Sequence, residues 1–131
     1  MKSYKELEIY KMAYALAVKV HKMTMTLPNY ELYEQGSQVR RSTKSIKDNI
    51  VEGYGRNRYK NEFVKFLVYA HSSCDEAISQ LTMIDEIHFE SKNLVELINE
   101  YDTLGRKINK FIDYVDNHWN ETNPEPGTRN A

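Results

Sequence analysis

Seven basic side chains between positions 40 and 60 have the clearest chemical potential in this 131-residue sequence. Four of them fall on one predicted helix, and three follow at its end. Tyr54 and Tyr59 lie among them and could stack on unpaired bases. Cationic groups in this pattern are typical of phosphate contacts, each of which releases counterions from a polynucleotide. The sequence therefore predicts a nucleic-acid interface made of Arg40, Arg41, Lys44, Lys47, Arg56, Arg58 and Lys60.

A second set of polar residues connects the same helix to the next one along the chain. Consecutive helices of a bundle run antiparallel, so early residues of one lie near late residues of the other. One interpretation of the set is a binding site for a phosphate or a base. The other is a buried network that fixes helix register or a subunit contact, and it is favoured because an unpaired buried charge is costly. The residues predicted to form this structural network are Arg41, Asn49, Glu52, Ser73 and Glu76.

Metal ligation and nucleophilic catalysis have weaker support. His71 and Cys74 would share a helix face, but a tetrahedral zinc needs two further ligands. Asp85 and His88 imitate half of a carboxylate–histidine site, and the sequence has no second such pair. Cys74 and His21 fall in apolar rows, where each is expected to be a core residue. No serine or cysteine has a recognisable base partner, so the sequence predicts no enzyme, no metal and no cofactor.

Apolar residues at steps of three and four predict the elements that position these side chains. The predicted helices span residues 5–26, 37–53, 61–87 and 91–119. Ser37 and Ser91 are expected to be N-caps. Gly53 and Gly55 are expected to supply a turn, because glycine tolerates positive φ at helix ends.

Four helices with short connections bury their apolar stripes most simply as a bundle. We therefore predict an all-α fold, an antiparallel up-down four-helix bundle over residues 1–119, with a disordered tail at residues 120–131. The connector after the first helix is expected to pack Tyr30, Leu32 and Tyr33 against the bundle.

Composition agrees with a one-domain globular protein, because 40% of the residues are hydrophobic and 28% are charged. No run approaches the roughly 18 apolar residues of a membrane span, and no apolar signal region opens the chain. A single cysteine fits a reducing compartment, so a cytoplasmic location is predicted. The charge is divided along the sequence, with a net of +5 over residues 37–65 and −7 over residues 66–131.

The middle of the chain resembles the four-helix-bundle proteins encoded within intervening sequences of bacterial 23S ribosomal RNA genes. The residues in register with that family's first motif are Gln38, Val39, Arg40, Arg41, Ser45, Ile46, Asn49, Ile50, Glu52, Gly53, Gly55 and Arg56. A second motif is matched by Glu62, Phe63, Phe66, Leu67, Ala70, Ser73 and Glu76. The resemblance extends over roughly residues 4–119. The chain departs from the family's usual residues at Ser42, Val51, Ser72 and Cys74, all of which are small or apolar replacements at packing positions.

The resemblance implies the same up-down bundle, assembled as a ring-shaped homopentamer. Similar proteins are accessory subunits of diversity-generating retroelements, where a basic pentamer works with a reverse transcriptase and RNA. No catalytic residue comes with the resemblance.

Two functional hypotheses follow from these observations. The first is a nucleic-acid-binding or ribonucleoprotein accessory module that uses the basic residues. The second is a homo-oligomeric protein-interaction scaffold that binds no nucleic acid and whose basic face meets an acidic protein surface. The division of charge is compatible with both, and also with faces that are simply solvated.

Overall fold

The computed structural model of the protein describes residues 3–88 and 93–119. A 3-10 turn, Tyr4–Glu6, precedes five helices, which are α1 (Glu8–Thr24), α2 (Asn29–Leu32), α3 (Gln35–Gly55), α4 (Lys60–His88) and α5 (Val95–Asn117). Because α2 is a single turn, four long helices build the fold, and the described residues contain no strand. The predicted all-α four-helix bundle is confirmed. The predicted disordered tail lies outside the described residues.

Contacts between α3 and α4 show that these helices run in opposite directions. The hydroxyl of Ser45, midway along α3, lies 2.9 Å from that of Ser73, midway along α4. Arg56, just after α3, instead donates to Glu62 near the start of α4, at 3.2 Å. The same reversed order is found for α5 against α1 and α4, in the pairs Glu8–Lys107, Lys19–Glu100, Cys74–Tyr101 and Lys60–Asp116. The bundle is therefore antiparallel, with α3 between α1 and α4.

The core forms along the inward stripe of each long helix, where apolar residues recur every three or four positions. In α4 the stripe consists of Phe63, Leu67, Ala70, Cys74, Ala77, Leu81 and Ile84. Val39, Ile46 and Ile50 of α3 are fully buried in the same core. Full burial of one such side chain contributes about 1.5–3 kcal/mol. The core therefore fixes the rotation of each helix, and with it the direction of every polar residue between the stripes.

The chain begins with a separate turn, so α1 starts later than predicted. Ser3 caps this turn, since its hydroxyl accepts from the Lys5 amide at 3.1 Å and its amide donates to Glu6 at 3.2 Å. This reciprocal arrangement is a capping box, and it satisfies donors that would otherwise lack partners. After the turn the backbone is extended at Leu7, and α1 begins at Glu8 rather than at Lys5.

The predicted N-cap of the second long helix is wrong. α3 begins at Gln35, so Ser37 lies inside its first turn. The predicted cap Ser91 lies outside the described residues. Ahead of α5, the carboxylate of Asp85 accepts a hydrogen bond from the Leu94 amide at 2.7 Å. A residue of the preceding helix thus supplies a partner for one backbone donor at the start of α5.

The connector packs only in part as predicted, because Leu32 is half-buried but Tyr30 and Tyr33 are 65% and 80% exposed, although the Tyr30 ring lies 6.4 Å from that of His88. The connector folds into the single turn α2, which has only one side against the bundle. Glu31 occupies that side and is 2% exposed. Its carboxylate lies 2.7 Å from Nε2 of His88 at the end of α4 and accepts from Gln35 at 3.0 Å. A buried polar pair, rather than aromatic packing, thus holds the connector in place.

Gly53 and Gly55 do not form a positive-φ turn, since no described glycine has positive φ and α3 continues through Gly55. Gly53 is buried, and a Cβ there would lie 3.0 Å from Cβ of Phe66 and 3.2 Å from the Phe63 carbonyl oxygen. A Cβ at Gly55 would meet open space. Gly53 therefore permits close approach of α3 and α4, which is a packing role rather than a turn.

Candidate nucleic-acid interface

The predicted interface residues on α3 point in several directions. Lys44 is exposed and Lys47 is half-buried, and both face α1. Arg41 is exposed toward α4. Arg40 is half-buried and bends back to the bundle, where it donates to Thr24 Oγ1 at 2.9 Å and to the Leu32 carbonyl oxygen at 2.8 Å. Arg40 thus ties α2 and the end of α1 to α3, a role that the sequence did not suggest.

A groove runs between α1 and α3 beside the exposed lysines. Its volume is about 330 Å³, and it is lined by Tyr14, Ala17, Val18, His21, Lys22, Lys44 and Lys47. Most of this lining is apolar, while basic groups stand on both walls. Lys47 pairs with Asp48 at 2.6 Å, outside the groove. Within the part of the chain that the structure describes, Lys22 and Lys44 have no ion-pair or hydrogen-bond partner for their side chains.

The basic residues after α3 have carboxylate neighbours. Arg56 donates to Glu52 at 2.9 Å and to Glu62 at 3.2 Å. The hydrogen bond that Arg56 donates to Glu52 raises the pKa of the Arg56 guanidinium, and the hydrogen bond from Lys65 is the main cause that lowers the pKa of the Glu62 carboxyl. These charges compensate one another locally, so this end of the bundle is less electropositive than its arginine content suggests.

The remaining residues around the connection between α3 and α4 differ in their exposure and in their partners. Lys60 lies 3.7 Å from Asp116. Arg58 and Tyr59 are exposed. Tyr54 is half-buried and meets the Phe63 ring edge-on, with 6.2 Å between centroids. Of the two tyrosines proposed to stack on bases, Tyr59 therefore has the freer ring.

The predicted polar network is only partly connected within one chain. Ser45 joins Asn49 to Ser73, because the Asn49 amide donates to the Ser45 hydroxyl at 3.0 Å and to its carbonyl oxygen at 2.9 Å. Ser73 is buried and lies 2.9 Å from the Ser45 hydroxyl. Arg41, Glu52 and Glu76 are exposed instead. Those three charges stand on the surface, where a subunit contact stays a prediction.

A second, polar groove of about 450 Å³ lies between α3 and α4. It is lined by Gln38, Arg41, Ser42, Ser45, Ser73, Glu76 and Gln80. Oε1 of Gln80 is buried, and it has no hydrogen-bond partner among the described residues. Arg41 likewise has no side-chain partner within residues 3–88 and 93–119. The groove therefore offers the exposed Arg41 guanidinium as a donor to a molecule outside the chain, whereas Oε1 of Gln80 is covered by the chain itself.

The residues considered as metal ligands or nucleophiles have structural partners. Cys74 is buried and donates to the Tyr101 carbonyl oxygen at 3.2 Å, and burial raises the pKa of its thiol to about 12. The protonated thiol is a poor ligand and a poor nucleophile at neutral pH. His71 lies 3.6 Å from Asp75. No three histidine, cysteine or acidic side chains gather into a possible metal site in the described ranges.

The α1 residues of the groove were missed by sequence analysis. His21 was expected in the core, and that prediction is wrong because the side chain is exposed. Tyr14, seven residues earlier on the same helix, is 50% exposed as well. The spacing of Tyr14, Val18 and Lys22 at steps of four is the signal that these residues share a face. Only the packing of α1 against α3 reveals that this face adjoins Lys44.

Comparison with known proteins places the chain in a family. None of the described helices has the length and apolar character that crossing a bilayer requires. A search among curated proteins gives no significant match. The sequence profile of the family described as 23S rRNA-intervening sequence protein matches residues 5–110. This match covers most of the chain and agrees with the helical bundle, and so the chain belongs to the 23S rRNA-intervening sequence protein family.

Proposed function

We propose that this protein is a non-enzymatic nucleic-acid-binding protein that contacts phosphates through the basic surface around α3. The observation that carries the proposal is the pair of exposed cations Lys22 and Lys44 on opposite walls of the α1–α3 groove, for which the described residues supply no carboxylate partner. A polyanion would neutralise these charges and release counterions.

We further propose that copies of the chain assemble, as the homopentamer that the sequence resemblance implies. The α3–α4 groove supports this, because the exposed Arg41 has no side-chain partner among the described residues and would gain one from a second copy. Assembly would multiply weak phosphate contacts through effective concentration. The resemblance adds the expectation of a reverse transcriptase as protein partner, and the single cysteine adds that of a cytoplasmic location.

Fluorescence anisotropy with labelled RNA and DNA oligonucleotides over a salt series tests the binding proposal. The double variant Lys22→Glu/Lys44→Glu should weaken binding and reduce the salt slope by about 1 for each phosphate that the protein no longer neutralises. Arg106→Glu/Lys110→Glu is the matched control, since it changes the net charge equally at exposed sites on α5, away from α3.

The two hypotheses give different results in this experiment. The proposal is supported if binding by the native protein falls steeply with salt and only Lys22→Glu/Lys44→Glu impairs it. Native protein that binds no polynucleotide even at low salt would refute it. The protein-interaction scaffold would then be the remaining function.

A further inference from the structure

The α1–α3 groove has an apolar floor between two basic walls. Tyr14 and Val18, which are 50% and 40% exposed, form the floor together with Ala17. His21 and Lys22 stand on the α1 side, and Lys44 and Lys47 on the α3 side. No carboxylate is among these lining residues. The ligand that fits such a groove combines an apolar group with flanking negative charges.

The Tyr14 ring is already held in position. It packs on the Tyr10 ring with 6.0 Å between centroids, and Tyr10 in turn meets the Tyr4 ring edge-on at 4.9 Å. A ring supported in this way loses little rotamer freedom when a ligand stacks on it. Its exposed half is therefore a ready surface for another flat ring.

The size of the groove also limits the ligand. About 330 Å³ is near the lower end of the roughly 300–1,000 Å³ found for small-ligand pockets. One nucleobase with its flanking phosphates matches the apolar floor and the basic walls. In a duplex the faces of the bases are covered by their stacked neighbours, so only an unpaired base could reach the floor.

We propose that the α1–α3 groove binds single-stranded nucleic acid by stacking an unpaired base on Tyr14, while Lys22, Lys44 and Lys47 contact the adjacent phosphates. This inference rests on the proposed function and adds the strand preference to it. Stacking tolerates any base, so the preference is for unpaired strands rather than for a particular sequence.

The test compares a single strand with a duplex of equal length for Tyr14→Ala, in the anisotropy assay over the same salt series. Stacking of a base on an aromatic residue is worth at least about fivefold in affinity. Tyr14→Ala should therefore lower affinity for the single strand by at least about fivefold, while affinity for the duplex and the salt slope stay near the native values. Tyr14→Phe should retain the preference, because it keeps a ring.

Tyr69→Ala is the matched control, because Tyr69 is 48% exposed on α4 and also has one ring neighbour, Phe66 at 5.5 Å. It should change neither affinity. Val18→Glu is a second, independent variant, which places a carboxylate on the half-exposed floor and should repel the strand even if Tyr14→Ala fails to fold.

Each other outcome overturns a defined part of the proposal. Equal native affinity for both strand forms, unaffected by Tyr14→Ala, would refute the stacking site and leave the phosphate interface intact. Absence of binding to either form at low salt would refute the proposed function itself. If Tyr14→Ala weakened binding to vesicles of phosphatidylglycerol and phosphatidylcholine more than it weakened binding to the single strand, the groove would take an acyl chain instead.

Discussion

Arg40 and Lys44 stand one helical turn apart on α3 and carry the same charge, but they have different roles. Arg40 reaches the Thr24 hydroxyl and the Leu32 carbonyl oxygen, and Thr24 is fully buried. The planar guanidinium can hold two acceptors at once, which an ammonium on a flexible stem does less well. Lys44 reaches no partner in the described ranges and remains available to a ligand.

This difference predicts opposite effects of truncating the two side chains. Arg40→Ala should lower the free energy of unfolding by about 1–3 kcal/mol, because it leaves two partly buried acceptors without their donor. Lys44→Ala should change it by no more than about 0.5 kcal/mol, as is usual for an exposed side chain. Urea unfolding of both variants measures this. Equal stabilities would show that the Arg40 bonds contribute nothing net.

At the scale of the elements, the close approach of α3 to α4 depends on a single missing methyl group. Gly53→Ala would push a Cβ against the Phe66 Cβ and the Phe63 carbonyl oxygen, neither of which can move freely. We expect it to reduce the free energy of unfolding by about 1–3 kcal/mol. Gly55→Ala should be neutral or stabilising by up to about 1 kcal/mol, because alanine has the better helix propensity and the site is open.

Thermal unfolding of these two variants gives a matched comparison, since both exchange glycine for alanine near the same helix end. A drop in stability at Gly55 equal to that at Gly53 would mean that backbone flexibility, rather than close interhelix packing, requires both glycines.

The long helices were predictable because an apolar stripe at steps of three or four is a local pattern in the sequence. Short elements were not, since α2 exists through contacts that are distant in sequence. Glu31 is buried there by His88, 57 residues later. The candidate site was likewise predictable only where it rests on local spacing. Lys44 and Lys47 were found from helical spacing, whereas Tyr14 joins them only because α1 packs beside α3.

At the scale of the whole molecule, α3 separates two surfaces of different character. Its α1 side borders the apolar groove with basic walls, and its α4 side borders the polar groove that contains Arg41 and Gln80. Residues on the two sides share no hydrogen bond or ion pair among the described contacts. One bundle could therefore bind nucleic acid on one side of α3 and a second copy on the other. Substitutions at Tyr14 and Gln80 should then act separately, whereas Lys44 and Arg41 line a common pocket and are expected to be coupled.

Gln80→Leu tests the assembly side of this division. In a single chain the substitution removes a buried acceptor without a partner, so the free energy of unfolding should stay constant or rise. If the Gln80 amide turns outward in the assembly and bonds to another copy, the same substitution should weaken assembly, which native mass spectrometry would record as a shift toward the 15.5 kDa single chain. Ser79→Leu adds a similar apolar side chain at an exposed α4 position outside the groove and should leave the mass unchanged.

A native protein that already has the mass of one chain at micromolar concentration would contradict assembly. Assembly and nucleic-acid binding would be linked if Gln80→Leu had the mass of a single chain and also a smaller salt slope per particle than the native protein. Fewer copies would then bind each strand.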